Sequence, residues 1–217
     1  MKGYVLITGA SSGIGKAFAY EYAKSGRNLI LVARNQDKLT AIRDDLMNKF
    51  KVDVEIFIVD LSMESAAIQL FSAVKENNLD VDILVNNAGF GLKGEFIKNA
   101  LRSYDEMMNL NMIALVELTY LFLDGMLEKG KGTIINVGSM VSFFSAPYNT
   151  LYSATKAFVL SFTEGLYYEY KNKGIQFVAI CPGATNTNFF ERAGKSKASK
   201  GKMRTRTSGK VNIKSLR

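Results

Sequence analysis

The apolar residues of this chain fall into short, uninterrupted runs that alternate with longer amphipathic stretches. Runs such as Leu29-Ile30-Leu31-Val32 do not alternate with polar residues, which is typical of strands whose two faces are both covered by helices. The runs predict strands near residues 3–8, 28–33, 53–59, 82–86, 132–138 and 175–181. The stretches between them predict helices near residues 13–25, 35–50, 63–77, 103–129 and 152–173. This alternation predicts an α/β fold with a single doubly wound parallel sheet and helices on both of its faces.

Composition narrows the class of protein. The 217 residues suffice for one domain with a full core, and the 47% hydrophobic content argues against disorder. The longest hydrophobic region, residues 112–127, contains Glu117 and Asp124, so it predicts a buried helix and no membrane span. The apolar run after Met1 is too short for a secretory signal, and the single cysteine, Cys181, excludes an internal disulfide. We therefore expect a cytoplasmic protein. The absence of histidine excludes a histidine triad and a histidine-based metal site.

The positive charge is concentrated at the carboxyl end. Residues 192–217 hold ten of the 28 basic residues and no acidic one, so residues 1–191 hold 18 basic against 20 acidic residues. A basic appendage on a slightly acidic body predicts a domain over residues 1–191 and a poorly ordered tail over residues 192–217. The tail has no aromatic residue for base stacking, so no nucleic-acid partner is expected. A polyanion-binding role of the tail is the alternative.

A glycine-rich turn joins the first predicted strand to the first predicted helix. The spacing Gly9-x-x-x-Gly13-x-Gly15 lets the backbone turn sharply and approach a pyrophosphate, which the amides and dipole of the helix would hold. Two serine hydroxyls in the turn add donors. The predicted phosphate-binding residues are Gly9, Ser11, Ser12, Gly13, Ile14 and Gly15. The alternative is a glycine-rich loop without a ligand.

Tyr152 and Lys156 are spaced i, i+4 in a predicted helix, so the two side chains project from one face. A cation beside a phenol favours the phenolate and lowers its pKa, which would make Tyr152 a usable acid or base near neutral pH. The alternative is a solvated helix face, on which the same pair occurs often. The interpretation therefore depends on the other motifs.

Four motifs occur together: the glycine turn, Asn86-Asn87-Ala88-Gly89 after an apolar strand, Ser139 thirteen residues before Tyr152, and the Tyr152 and Lys156 pair. In this order they resemble the short-chain dehydrogenase/reductase family over residues 3–190. The resemblance implies a Rossmann-like sheet of strand order 3-2-1-4-5-6. It also implies hydride transfer between a nicotinamide cofactor and a carbonyl or alcohol substrate.

The resemblance assigns roles to five polar residues. It implies that Ser139 polarises the substrate carbonyl, with Ser142 as a candidate assistant, and that Tyr152 gives or takes the proton. Lys156 would hold the nicotinamide ribose and lower the pKa of Tyr152. Asn111 would kink the long helix and hold a water molecule of a proton relay. A purely structural buried asparagine is the alternative for Asn111.

Further cofactor contacts follow from the same resemblance. Asp60 and Leu61, at the close of the third strand, would meet the adenine, although Asp60 could instead be a turn or cap residue. The small residues after the fourth strand would pack against the cofactor, and a segment after the sixth strand would close over it. These residues are Asn87, Ala88, Gly89, Pro182, Gly183, Thr185 and Thr187.

The end of the second strand predicts the cofactor preference. An NAD site places a carboxylate there for the ribose 2′-hydroxyl, whereas a 2′-phosphate requires a cation. Here the strand ends in Ala33-Arg34-Asn35, with Lys38 one turn later. We therefore expect NADP(H) to be preferred over NAD(H). The alternative is that Arg34 is only an exposed residue at the start of a helix.

The chain departs from the family after about residue 190. Family members continue with a substrate-covering helix, a further helix and a seventh strand, whereas this sequence becomes polar and basic. We expect a shortened or altered carboxyl end and an incomplete substrate pocket, with a short strand near 210–214 as the alternative. A protein that binds NADP(H) without turnover is therefore the second functional hypothesis.

Two expectations concern partners. The family pairs through its two long helices, here near 103–129 and 152–173, so we expect a homodimer. Several aromatic residues lie close in sequence to the expected site motifs and favour a bulky apolar carbonyl substrate, although aromatics at this spacing are more often part of a core. These residues are Phe90, Phe96, Phe143, Phe144, Tyr148 and Phe189.

Overall fold

The computed structural model describes residues 3–183, 185–186 and 206–207. Six parallel strands form one sheet in the order β3-β2-β1-β4-β5-β6, which confirms the predicted fold class and strand order. The strands are β1 (Tyr4–Thr8), β2 (Leu29–Ala33), β3 (Val54–Ile58), β4 (Val81–Asn86), β5 (Gly132–Val137) and β6 (Ile175–Ile180). The order reverses between β1 and β4, and ligands of open α/β sheets bind at the carboxyl ends of the strands beside such a reversal.

The predicted helices are present, with ends displaced by no more than one turn. They are α1 (Gly13–Lys24), α2 (Gln36–Phe50), α3 (Ala66–Glu76), α4 (Leu101–Met108), α5 (Ala114–Glu128) and α6 (Thr150–Tyr170). The helix predicted over 103–129 consists of α4 and α5, joined by a π-helical turn at Asn109–Ile113. Such turns insert an extra residue and occur frequently at functional sites. Short 3₁₀ turns at Phe96–Lys98 and Met140–Phe143 were not predicted.

Helices cover both faces of the sheet. Alternate residues of β1 point in opposite directions, so Ile7 packs with Phe18 and Leu39 of α1 and α2. Leu6 packs on the other face, together with side chains of α3 and α5 such as Leu70 and Leu118. Burial on both faces explains why the strand sequences are apolar without alternation.

The segment from α4 to α5 is long and apolar enough to span a membrane by length and composition alone, with a mean hydropathy of 1.5. In the structure α5 instead packs along the sheet. Leu118, Phe122 and Met126 are buried in the core cluster on that face. One face of α5 is therefore buried, as the sequence predicted, but only 44% of the apolar window is buried in the structure.

The carboxyl end contributes one described feature. Two short strands, β7 (Thr185–Asn186) and β8 (Arg206–Thr207), pair in parallel outside the main sheet. The sequence did not predict this pairing. Thr187, Phe189 and the alternative strand at 210–214 lie outside the described residues.

Candidate active site

A cleft of about 550 Å³ opens at the carboxyl ends of the strands. It is lined by the glycine turn, the ends of β2 to β5, the start of α6 and the segment after β6. The structure thus brings most of the predicted site residues together on one cleft. Those lining it are Gly9, Ser11, Ser12, Gly13, Ile14, Arg34, Asp60, Leu61, Asn87, Ala88, Gly89, Ser139, Tyr152, Lys156, Pro182 and Gly183.

The glycine turn forms a cradle that side chains would fill. Gly9 and Gly13 have φ angles of 66° and 56°, in the left-handed region that favours glycine. Gly15 lies behind the cleft wall, where a β-carbon would stand 2.4 Å from the Gly9 carbonyl oxygen. Ser12 caps α1 without a side-chain hydrogen bond, so its hydroxyl is not used in capping the helix. A pyrophosphate fits this cradle, because the open backbone and the helix start supply amide donors.

Thr8, which was not among the predicted site residues, braces the floor of the cleft. Its hydroxyl accepts hydrogen bonds from the amides of Asn87 and Ala88, both at 2.9 Å, and donates to the Val85 carbonyl at 3.3 Å. The Asn87 side chain in turn donates to the Thr8 carbonyl at 2.8 Å. These bonds tie the ends of β1 and β4 together. The sequence signal that could have identified Thr8 is its position directly before the first glycine of the turn.

Asn111 lies in the π turn and is 1% exposed. Its side-chain oxygen accepts from the Phe90 amide at 3.1 Å. Its nitrogen donates to the Phe90 carbonyl at 2.9 Å and to the Thr155 hydroxyl at 3.1 Å. A π turn interrupts the long helix at the position where the resemblance implied a kink, and the Asn111 side chain holds the loop after β4 against α6. Because the amide is engaged with protein groups, the water of the proton relay stays a prediction.

Three polar side chains converge at the start of α6. Tyr152 and Lys156 both line the cleft, and the Ser139 hydroxyl is hydrogen-bonded to the Tyr152 phenol. The Lys156 ammonium donates to the Val137 carbonyl oxygen at 2.7 Å and is 5% exposed. The arrangement places a phenol, an alcohol and an amine on one wall, where they can bind and protonate a ligand oxygen.

Burial sets the ionisation of this cluster. Desolvation raises the pKa of Tyr152 to about 12, against the opposing effect of the Ser139 hydrogen bond. Desolvation also lowers the pKa of Lys156 to about 8. The expectation that Lys156 lowers the pKa of Tyr152 is therefore wrong for the cofactor-free protein. The burial of the phenol outweighs other effects, and the ammonium is directed at Val137.

Arg34 and Asp60 form an ion pair at the outer end of the cleft, with 3.0 Å between Nη1 and Oδ2. The other oxygen of Asp60 accepts from the Ser62 amide at 3.1 Å and the Ser62 hydroxyl at 2.7 Å. Burial alone would raise the pKa of Asp60, but the bonds from Ser62 and Arg34 outweigh it and hold that pKa below its usual value. Asp60 therefore both lines the cleft and stabilises the turn after β3, so its two alternative roles are compatible.

Other lining residues were not among the predicted site residues. Four of them, which are near the predicted motifs in the sequence, are Lys93, Met140, Val141 and Asn149. Their closeness to those motifs was the signal by which the sequence could have identified them. Of the aromatic candidates, Phe90 and Phe144 line the cleft. Phe96, Phe143 and Tyr148 are mostly exposed and do not appear in its lining.

Comparisons with known proteins agree with this geometry. The family model for short chain dehydrogenases matches residues 3–198. The very-long-chain 3-oxoacyl-CoA reductase of Mus musculus is 35% identical over 185 residues, which cover 82% of this chain and 58% of that protein. The chain therefore spans less than two thirds of the length of this relative.

Two solved structures are similar over nearly the whole chain. A short-chain dehydrogenase from Sphingobium yanoikuyae in complex with NADPH has a TM-score of 0.90 and 33% identity, covering 99% of this chain and 82% of that one. The bulky-bulky ketone specific alcohol dehydrogenase from Comamonas testosteroni has a TM-score of 0.86 and 32% identity, covering 99% and 81%. With the family model matching most of its length, this chain belongs to the short-chain dehydrogenase family of oxidoreductases.

Proposed function

We propose that this protein is an NADP(H)-dependent oxidoreductase that interconverts a bulky apolar carbonyl compound and its alcohol. The observation that carries the proposal is the Ser139 and Tyr152 hydroxyl pair, hydrogen-bonded on the wall of a cleft that also holds the glycine cradle. Lys156 lines the same wall, one helical turn from Tyr152. Phosphate-binding and proton-transfer groups thus share one cavity.

The residues present fit a nicotinamide dinucleotide. The glycine turn would hold the pyrophosphate, the ends of β3 and β4 the adenosine side, and Lys156 a ribose hydroxyl. When bound, the nicotinamide supplies or accepts a hydride at C4, which is chemistry that no side chain of this protein provides.

The proton chemistry belongs to the protein. In carbonyl reduction, Ser139 donates a hydrogen bond to the carbonyl oxygen and stabilises the charge that develops on it. Tyr152 donates its phenolic proton to the same oxygen, which completes the alcohol. A phenol whose pKa is about 12 stays protonated and ready to donate in the cofactor-free cleft. Lys156, one helical turn from Tyr152 on the same helix, is the candidate to return a proton to the phenolate after the reaction.

Arg34 and Lys38 support the preference for NADP(H). Both line the outer end of the cleft, and the described end of β2 carries no carboxylate. The ion pair neutralises Asp60, so the carboxylate adds little repulsion toward a 2′-phosphate. The similar dehydrogenase from Sphingobium yanoikuyae is in complex with NADPH, which supports the same choice.

The apolar lining supports a bulky substrate. Phe90, Met140 and Phe144 line the cleft beside Ser139 and Tyr152 in the described part of the chain. The similar proteins include a very-long-chain 3-oxoacyl-CoA reductase and an alcohol dehydrogenase specific for bulky-bulky ketones. A ketone with a long or broad apolar substituent on at least one side is therefore the proposed substrate class.

A homodimer through α5 and α6 belongs to the same proposal. Apolar side chains remain exposed along these helices, and an apolar face is commonly covered by a partner. They include Tyr120, Phe158, Tyr167 and Tyr168. Light scattering on the full chain would test it, and a monomer at micromolar concentration would contradict it.

The function is tested by following NADPH oxidation by the full chain with a panel of carbonyl compounds. The panel contains a long-chain 3-oxoacyl thioester, a steroid ketone, a diaryl ketone and a short aliphatic ketone. We expect turnover of at least one bulky ketone and little of the short one. Fluorescence titration with NADPH is run in parallel, and bound cofactor without turnover across the panel would favour a binding protein over an enzyme.

A further inference from the structure

Ser142 lies at the junction of three segments that carry the catalytic wall. Its hydroxyl donates to the backbone carbonyl of Lys156 at 2.8 Å and accepts from the Ser139 amide at 3.2 Å. It is also hydrogen-bonded to the Cys181 thiol, at the residue after β6. A hydroxyl has one proton, so the bond to the Lys156 carbonyl uses the only proton that Ser142 can donate. That Ser142 assists Ser139 on the substrate therefore stays a prediction, since in the structure its proton is given to the Lys156 carbonyl.

The local structure explains how Ser142 reaches this position. Ser139 caps the 3₁₀ turn at Met140–Phe143, and the two serines form a reciprocal capping box. The spacing Ser-x-x-Ser thus turns the Ser142 hydroxyl back toward the Ser139 amide. Packing around it is tight, since a β-carbon on Gly138 would stand 2.9 Å from the Cys181 sulfur and 3.2 Å from the Ser142 hydroxyl.

The bonds of Ser142 join the two elements that must face each other in the reaction. Ser139 follows β5 and caps the 3₁₀ turn after it, whereas Tyr152 and Lys156 belong to α6. The hydroxyls of Ser139 and Tyr152 are bonded directly to each other. That bond has to rearrange when a substrate oxygen binds to both hydroxyls, so it cannot hold the two elements in register during the reaction. The bond from Ser142 to the Lys156 carbonyl joins the same elements without using a reacting group.

We propose that Ser142 is a positioning residue that keeps the Ser139 hydroxyl at a constant distance from the Tyr152 and Lys156 face of α6 while substrate is bound. The inference rests on the proposed function. Misplacing a reacting group by about 1 Å costs on the order of 10²-fold in rate. Removal of the hydroxyl therefore acts on the chemical step, with little effect on cofactor affinity.

The test compares three variants in the full chain with NADPH and the best ketone of the panel. Ser142→Ala removes the bonds, Ser142→Thr retains a hydroxyl, and Ser153→Ala is the matched control. Ser153 is also buried, at 6% exposure against 8% for Ser142, and its hydroxyl donates to a carbonyl of its own helix at 2.9 Å. We expect Ser142→Ala to lower kcat by roughly 10- to 100-fold, with the NADPH Kd within about twofold of the wild type. Ser142→Thr should recover most of the rate, and Ser153→Ala should leave it unchanged.

A second measurement needs no turnover. In the cofactor-free protein, hydrogen exchange at the Ser139 amide should accelerate in Ser142→Ala, because that amide loses its bond to the Ser142 hydroxyl and keeps only its contact with the Cys181 sulfur, while exchange in α5 stays unchanged. A kcat for Ser142→Ala within about twofold of the wild type would overturn the inference. Equal losses in the Ala and Thr variants would also overturn it, since shape and not the hydroxyl would then carry the effect. If the wild type itself turns over no ketone, the proposed function fails, and the exchange measurement still decides whether Ser142 holds the Ser139 turn.

Discussion

The Lys156 ammonium donates a 2.7 Å hydrogen bond to the Val137 carbonyl oxygen, which joins α6 to the last residue of β5. The amine that makes this bond is buried beneath the cleft, and its burial lowers the pKa of Lys156 to about 8 from an ordinary value of 10.5. Between these two values the folded chain has released a proton that the unfolded chain still holds. The free energy of unfolding therefore rises with pH across this window.

This difference predicts a pH-dependent effect of Lys156→Met on the stability of the cofactor-free protein. From about pH 8 to pH 9.5 the wild type should gain about 1.5 kcal/mol relative to the variant. Urea unfolding at both pH values measures the difference, and Lys24→Met, at an exposed position of α1, is the control. Parallel pH dependences of the wild type and Lys156→Met would contradict the buried-amine assignment.

Tyr152→Phe tests the proton donor. Only the phenolic proton is lost, so ketone reduction should fall by 10²-fold or more, on the order expected for a general acid. NADPH affinity, measured by fluorescence titration, should stay within about threefold, because the ring is retained. Tyr170→Phe, on the same helix, should keep full activity. Reduction that survives in Tyr152→Phe would assign the proton transfer to another group.

Arg34→Ala tests the cofactor preference. Loss of a charge-assisted contact to a phosphate costs about 1.5–3 kcal/mol, so the NADPH Kd should rise roughly 10- to 100-fold. The NADH Kd should change little, because NADH carries no 2′-phosphate. Arg43→Ala, which removes an ion pair with Asp44 on the outer surface of α2, is the matched control. Equal weakening of both cofactors would show that Arg34 does not read the 2′-phosphate.

Asn111→Ala should destabilise the protein by about 1–3 kcal/mol, because it leaves the half-buried amide and carbonyl of Phe90 without the Asn111 side chain as their partner. Thermal unfolding of the cofactor-free chain measures the loss. Asn77→Ala is the control, since its exposed amide bonds only the Ala73 carbonyl, at 2.8 Å. That variant should lie within about 0.5 kcal/mol of the wild type. Equal stabilities of the two variants would argue against a bracing role for Asn111.

Gly15→Ala should weaken NADPH binding and lower stability by about 1–3 kcal/mol, because the added methyl group would stand 2.4 Å from the Gly9 carbonyl oxygen. Gly125→Ala places the same methyl group on α5, where, apart from the backbone of α5 itself, the described residues leave no heavy atom within 4 Å. Since alanine is the better helix former, that variant should be neutral or more stable by about 0.5–1 kcal/mol. Differential scanning fluorimetry with and without NADPH compares the pair.

Much of the fold was predictable because its signals are local. Apolar runs without alternation marked buried parallel strands, and the glycine spacing from Gly9 to Gly15 marked the turn into α1. Motif spacing also predicted that Tyr152 and Lys156 would share a helix face, and both line the cleft. The π turn at Asn111 was harder to predict from the sequence, because residues 109–113 have the pattern of a continuous helix. The one signal for it was the polar Asn111 side chain at a buried position.

The sequence by itself determined the fold class, the strand order implied by the motifs and the identity of the polar residues at the strand ends. Only the tertiary structure decided which of these residues bond to one another. Thr8 bonds Asn87 across 79 positions, and Ser142 reaches Lys156 from a different element. The tertiary structure also decided the sign of the Tyr152 pKa shift. Desolvation depends on all the groups packed around the phenol, whereas the i, i+4 spacing identifies only Lys156 as a neighbour.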